Sequence, residues 1–186
     1  ARLNRMLPPD LALHAVIGVP DTLHARFSAL SRTYRYRIHW TKDPFLAGRS
    51  WWLPAQPDWE AVISATEALP GTRDFGAFAR SGGGQKHNLC ELRRAEWTFP
   101  APGEACLTLQ ANRFLRNMVR AVVGTLIEVG RGYRKADLME QLIQEANRSA
   151  AGTSAPAHGL YLEHVEYPKG LLDQPLFGEA PPLRQP

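Results

Sequence analysis

Residues 112–132 read NRFLRNMVRAVVGTLIEVGRG. Wound at about 100° per residue, this stretch predicts a single amphipathic helix. Phe114, Leu115, Met118, Val119, Val122, Leu126 and Val129 form a wide apolar stripe. Arg113, Arg116, Asn117, Arg120 and Gly124 follow one another at helical spacing on the opposite face. Gly130 and Gly132 offer a stop, and Arg131 suits the negative end of the helix dipole. Two readings of the cationic face stand side by side. One is a solvated face on a core-packed helix. The other is a stripe that lines a cleft and meets phosphate or carboxylate.

Working outward, the chain has 186 residues, 44% of them hydrophobic, with five Trp. That is enough for a real core and one domain with a tail. The sequence opens in mid-pattern at Ala1, so a longer parent protein is expected. No signal peptide is legible, and no run approaches the ~18 apolar residues of a spanning helix. The formal net charge is +4, and only four of the 22 basic residues are Lys. An Arg excess suits phosphate recognition through the planar fork, although compositional bias would produce it equally well. Cys90 and Cys106 are too few for a disulfide framework. Free thiols suit a reducing cytoplasm, the expected location. No cluster of His, Cys and carboxylates has metal-ligand spacing, so no metal is expected.

Residues 88–99 and 105–111 read as a hairpin around the turn at 100–104, with Cys106 opposite Thr98. Residues 13–19 suit a short strand, and residues 21–40, DTLHARFSALSRTYRYRIHW, a long extended segment. In its second half Arg32, Tyr34, Tyr36, Ile38 and Trp40 share one face, and Thr33, Arg35, Arg37 and His39 the other. Tyr on a strand is ordinarily core. Arg interleaved with Tyr is also how a sheet offers stacking groups and phosphate contacts to RNA, which makes Arg32 and Arg35 candidates. Asp58 opens a helix to about Leu69, with Trp59, Val62, Ile63, Thr66 and Leu69 at helical spacing. Residues 134–145 suit a further helix with Leu138, Leu142 and Ile143 inward. Residues 159–167, GLYLEHVEY, suit a last strand, and residues 81–85 an exposed Gly-rich loop. Residues 168–186 read as a Pro/Gly-rich tail, anchored by Leu176 and Phe177. This order predicts an α+β fold, an antiparallel sheet with helices packed on one face.

Three segments raise a resemblance: HARFSA at 24–29 running into RTYRY at 32–36, FLRNMVR at 114–120 with Gly124, and APAHGLYL at 155–162. In this order and spacing the chain resembles the C-terminal half of the tRNA pseudouridine synthase A family. Asn4, Leu7-Pro8 and Asp74-Phe75 fit the same pattern, and the resemblance spans residues 1–167 as one C-terminal domain. It implies an enzyme that isomerises uridine to pseudouridine at the 3′ side of the tRNA anticodon stem and loop, without a cofactor. It also implies a homodimer. The target base must leave its stack. The family's Asp attacks the nucleoside, the glycosidic bond breaks, and the uracil turns and rejoins through carbon. Tyr34 matches the tyrosine that packs on the base. Arg120 matches the arginine that pairs with the Asp and keeps it ionised. Leu160 matches the apolar residue that closes the pocket. By spacing alone, Arg113, Arg116 and Asn117 continue the cleft outward toward phosphates.

Two departures matter. His158 stands where the family often has an acidic residue. The family's nucleophile lies in a Gly-Arg-Thr-Asp-Ala-Gly segment, whereas this chain has only Gly71-Thr72-Arg73-Asp74. Asp74 follows a helix end, where it suits a turn cap. The expectation is therefore half of an active site, its catalytic Asp in a missing N-terminal half and the chain inactive alone. A non-catalytic RNA-binding domain of the same fold and a protein-interaction module with an Arg stripe are the alternatives.

Overall fold

The computed structural model describes residues 3–80 and 87–172. The Gly-rich loop expected at 81–85 and the Leu176 and Phe177 anchors lie outside the described residues. The chain divides into two compact units, Ser31–Val165 and a smaller one joining Ala1–Leu30 with Glu166–Pro186.

In the larger unit, alternating β1 (Ser31–His39) pairs along its length with β5 (Glu104–Ala111), from Arg32 opposite Ala111 to His39 opposite Glu104. β5 pairs with β4 (Leu89–Thr98), and β4 with β3 (Gly71–Asp74), all antiparallel. The hairpin register places Thr98 opposite Cys106, as its turn length predicts. A slip of pairing between Leu92 and Arg94 marks an irregularity in β4. β2 (Trp51–Trp52) and β6 (Leu160–Glu166) both pair with β1, giving six strands in the order β2-β1-β5-β4-β3 with β6 beside β1. The β1–β2 pair is parallel, so the sheet is mixed rather than wholly antiparallel. The fold class is otherwise the expected α+β.

Helices cover one face. Tyr36, Ile38, Leu107, Leu109 and Leu92 project into a core with α2 (Met118–Gly130), α1 (Trp59–Thr66) and α3 (Leu138–Glu145). Asp58 caps α1 by accepting from the Ala61 N–H at 3.1 Å, the expected role for an acid at the positive end. Burial along α2 runs almost all round, from Met118 to Gly130. A helix apolar on every side belongs at the centre of a core, and its two glycines make that possible. A Cβ at Gly130 would meet the Val62 side chain of α1, and one at Gly124 the Thr153 carbonyl.

Several expectations fail for local reasons. The helix read from 112 starts only at Met118, because Asn117 sits in the left-handed region at φ 70°. The backbone of 112–117 is used elsewhere: the Arg116 carbonyl accepts from Arg80 N–H at 2.9 Å, and the Asn117 amide reaches Ser154. Arg113, Arg116 and Asn117 therefore share no helix face with Arg120. The third helix begins four residues late, at Leu138, and Ile63 of α1 is 41% exposed. In the smaller unit, residues 13–19 form no strand, and 21–30 turn rather than extend. His24 Nδ1 accepts from the Arg26 and Phe27 N–H groups, and Ser28 Oγ from the His24 N–H. Such side-chain closure competes with strand formation. Asn4 clasps Leu13 through both its N–H and its carbonyl, and the Tyr167 hydroxyl donates to the Ala25 carbonyl at 2.6 Å.

Candidate active site

The segment 151–159 runs as a clip across α2. Gly152 N–H donates to Thr125 Oγ1 at 3.0 Å, and Thr153 N–H to Glu128 at 2.8 Å. Glu128 is held in turn by Arg134 at 2.6 Å. Ser154 Oγ accepts from the Asn117 amide at 2.6 Å. Ala155 N–H donates to the Arg120 carbonyl at 2.9 Å, while Arg120 Nε donates back to the Ala155 carbonyl at 2.6 Å. Tyr36 completes the clip, its hydroxyl donating to the Pro156 carbonyl at 2.7 Å. Gly159 then packs on the Tyr36 ring and the Arg37 carbonyl, where no side chain fits.

Of the three residues singled out by resemblance, Arg120 is bonded to this clip, Leu160 follows it directly, and Tyr34 lies on β1 two residues from Tyr36. Arg120 is half-buried on the first turn of α2. No carboxylate pairs with it among the described residues; its one hydrogen bond goes to a carbonyl, which leaves the charge uncompensated. Leu160 begins β6 directly after Gly159 and packs against the core. Tyr34 lies on β1, the strand paired with β6, and also packs on the core. Its ring meets Phe114 edge-on at 5.0 Å and 85°. The fourth member is Tyr36, two residues along the same face from Tyr34 and wholly buried. Burial drives its hydroxyl far above the ordinary tyrosine range, with nearby Arg120 opposing in part. Sequence reading placed Tyr36 on the right face but missed its part in the clip; the period-two step from Tyr34 was the available signal.

The remaining arginines scatter. Arg32 Nη1 donates to the Asn112 carbonyl at 2.7 Å, and Arg113 approaches the His87 ring at 3.3 Å. Arg116 is exposed. Arg35 points to the other face of the sheet and pairs with Glu163 at 2.8 Å.

Asp74 lies on β3, three strands from β1 and so roughly 14 Å away at the spacing of paired strands. It caps a turn, accepting from the Gly76 N–H at 2.7 Å. Asp43 and Asp58 also cap, and Asp137 accepts from Gln141. Cys90 and Cys106 are buried and free, and burial pushes the Cys90 thiol up to about 11, so neither suits a nucleophile. No group of three metal-ligating side chains occurs among the described residues. Nor is any helix among them long and apolar enough to cross a membrane.

An α+β sheet with an arginine and a tyrosine fixed on one clip narrows the chemistry without naming an enzyme. Comparison with known proteins is more specific. Residues 65–168 match a family described as tRNA pseudouridine synthase. A tRNA pseudouridine synthase A of Bacteroides fragilis is 41% identical over 172 residues, 92% of this chain and 68% of that protein. Its counterpart in Parabacteroides distasonis is 43% identical over 171 residues, 91% of this chain and 67% of that protein. One from Gloeobacter violaceus is 41% identical over 169 residues, 55% of its own length. This chain belongs to the tRNA pseudouridine synthase family. It spans about two thirds of the length of the first two relatives.

Proposed function

We propose that this chain is the C-terminal part of an enzyme that isomerises uridine to pseudouridine in the anticodon stem and loop of tRNA. The observation that carries this reading is Arg120. Its guanidinium is half-buried beside Tyr36 and parked on a backbone carbonyl. A partly buried cation is costly unless paired, and a carboxylate is the partner that repays it best. We assign the nucleophilic Asp to the segment that carries it in the family, outside these residues; Asp43, Asp58, Asp74 and Asp137 already have structural partners. In that arrangement Arg120 keeps the Asp ionised, Tyr34 packs on the extruded base, and Leu160 closes the apolar side. The Asp attacks the nucleoside, the N-glycosidic bond breaks, and the uracil turns and rejoins the sugar through carbon. No step requires a cofactor or a metal. Arg32, Arg113, Arg116 and Asn117 reach the RNA backbone. The working form is a cytoplasmic homodimer.

The test is tRNA binding and pseudouridine formation, the latter by mass spectrometry, for this chain alone and for the chain preceded by the family's Asp-bearing segment. Both forms bind tRNA, and only the second turns over. Multiple turnover by the chain alone overturns the assignment of the nucleophile. Failure of both to bind tRNA at low salt overturns the function.

A further inference from the structure

A cavity of about 470 Å³ opens at the C-terminal end of β1, away from the clip's arginine. Its size falls within the ~300–1,000 Å³ range of ligand sites. Trp51 and Trp52 of β2 wall it, His39 and His158 line it, and Lys42 and Asp43 stand in the following loop. We propose that this cavity takes an unstacked nucleobase of the bound RNA, one that flanks the base undergoing chemistry. The proposal rests on the RNA-modifying reading above.

Four observations argue for a flat heteroaromatic occupant. The indole of Trp51 is fixed edge-on against Tyr36 at 6.3 Å and 89°, with the Arg131 guanidinium 5.9 Å from the ring. Trp52 is 47% exposed, a large aromatic left facing solvent beside it. An exposed indole such as Trp52 is a surface on which a splayed base stacks, with little dependence on sequence. His39 is 3% exposed, and its Nδ1 is buried without a hydrogen-bond partner among the described residues. Such an atom is an unmet polar demand at the cavity wall, one that a turn of the ring would present to the edge of a base and that a hydrocarbon cannot answer. The lining is also nearly balanced in charge. Lys42 is offset by Asp43, which already accepts from the Phe45 N–H at 2.8 Å. A lining so close to neutral suits a base and not a polyphosphate.

The cavity's place in the chain says which base. His158 precedes Leu160 by two residues, no more than about 7 Å of backbone. His39 lies five residues along β1 from Tyr34, about 17 Å at strand rise. A single strand with its target base at Tyr34 and Leu160 therefore passes the cavity within a short run of nucleotides. Contacts to flanking nucleotides are a general means by which base-flipping enzymes choose their context.

The experiment uses this chain and an anticodon stem–loop RNA, together with a set of the same RNA carrying one abasic site at each loop position. The variants are Trp52→Ala, whose side chain is too exposed to govern folding, and Phe45→Ala, an 86% exposed neighbour that does not line the cavity. Trp52→Ala weakens binding of the intact RNA roughly tenfold, as expected for one lost stacking partner, and Phe45→Ala leaves it unchanged. One abasic position weakens the wild-type chain by a similar factor and has no further effect on Trp52→Ala. Binding by Trp52→Ala equal to wild type, or an abasic loss that simply adds to the variant's, overturns the pocket while leaving the RNA reading intact. A wild-type chain that binds none of the RNAs removes the proposal together with the reading beneath it.

Discussion

The two faces of β1 solve the same problem in opposite ways. Toward the helices, Tyr34 and Tyr36 face a core, and the polar groups there are met by backbone: Tyr36 on the Pro156 carbonyl, Arg120 on the Ala155 carbonyl. On the other face the cations are met by side chains. Arg35 pairs with Glu163, Arg94 with Glu96 at 2.6 Å, and Arg37 lies over the Tyr161 ring at 4.9 Å. A carbonyl satisfies a donor but cancels no charge, whereas a carboxylate does both. On the outer face Arg35 and Arg94 are neutralised while Arg37 keeps its charge over a neutral ring, and the inner face holds Arg120 with no carboxylate beside it among the described residues. Alternation along one strand separates a largely neutralised surface from a chemically primed one.

The sharpest way to break the contrast is to unseat the inner clip. Gly124→Ala would drive a methyl into the Thr153 carbonyl and within 3.0 Å of the Ala155 nitrogen. Both belong to backbone held from two sides, so neither yields easily. A loss of about 2–3 kcal/mol is expected in urea denaturation. Gly48→Ala is the control. Nothing lies within 4 Å of its added methyl, and only the positive φ of 72° is strained, a cost of about 1 kcal/mol. Equal losses for the two variants would show that the clip does not press on α2.

Next in size is the tyrosine pair. Tyr36→Phe removes a buried hydroxyl and strands the Pro156 carbonyl, a loss of about 1–2 kcal/mol. The Tyr34 hydroxyl makes no hydrogen bond among the described residues, so Tyr34→Phe should leave the melting temperature unchanged. In an active form of the protein it should keep tRNA binding and slow turnover, because the ring stays while the hydroxyl goes. A Tyr34→Phe that destabilises as much as Tyr36→Phe would mean that the two tyrosines are equivalent.

The arginines give a smaller, salt-dependent test. Arg116→Ala should flatten the log–log salt dependence of tRNA binding by about 0.7–0.9. Arg35→Ala should flatten it less, since Glu163 already occupies that cation, and should cost stability only about 0.2–1 kcal/mol, as exposed pairs do. Arg120→Ala should leave the slope nearly unchanged. Titrations that rank Arg35 above Arg116 would show that pairing with Glu163 does not withhold Arg35 from the RNA.

What the sequence disclosed, and what it hid, follows the same division between local and remote. The hairpin register, the Asp58 cap and the alternation of β1 depend on neighbours in the chain, and all three were legible. The start of α2 was not. The pattern at 113–120 is helical in period, but Asn117 turns left-handed to meet Ser154, 37 positions away. β2 and β3 are two and four residues long, too short for a period to register. The wall of Trp51, Trp52, His39 and His158 joins segments more than a hundred residues apart. No window of sequence contains it.

The smallest expected effect concerns that wall. Burial holds the His39 imidazole below its ordinary pKa, and the neighbouring His158 adds a little to this. The Asp43 and Glu104 carboxylates pull the other way. Folded His39 therefore resists protonation at a pH where the same residue in the unfolded chain, near pKa 6.5, accepts a proton. Below about pH 6.5 the unfolded state binds more protons at this position, so stability falls as pH falls and is level above. The check is a pair of melting curves from pH 7.5 to pH 5 for wild type and His39→Gln. The wild type should lose stability faster, with the difference between the two appearing only below about pH 6.5. Asp43→Asn sharpens the test. Asn still caps the turn at Phe45, as Asp does, yet it removes a charge that raises the His39 pKa. The acid loss in Asp43→Asn should exceed that of wild type. If instead removing the carboxylate shrinks the loss, or His39→Gln leaves the pH dependence untouched, burial does not govern this histidine.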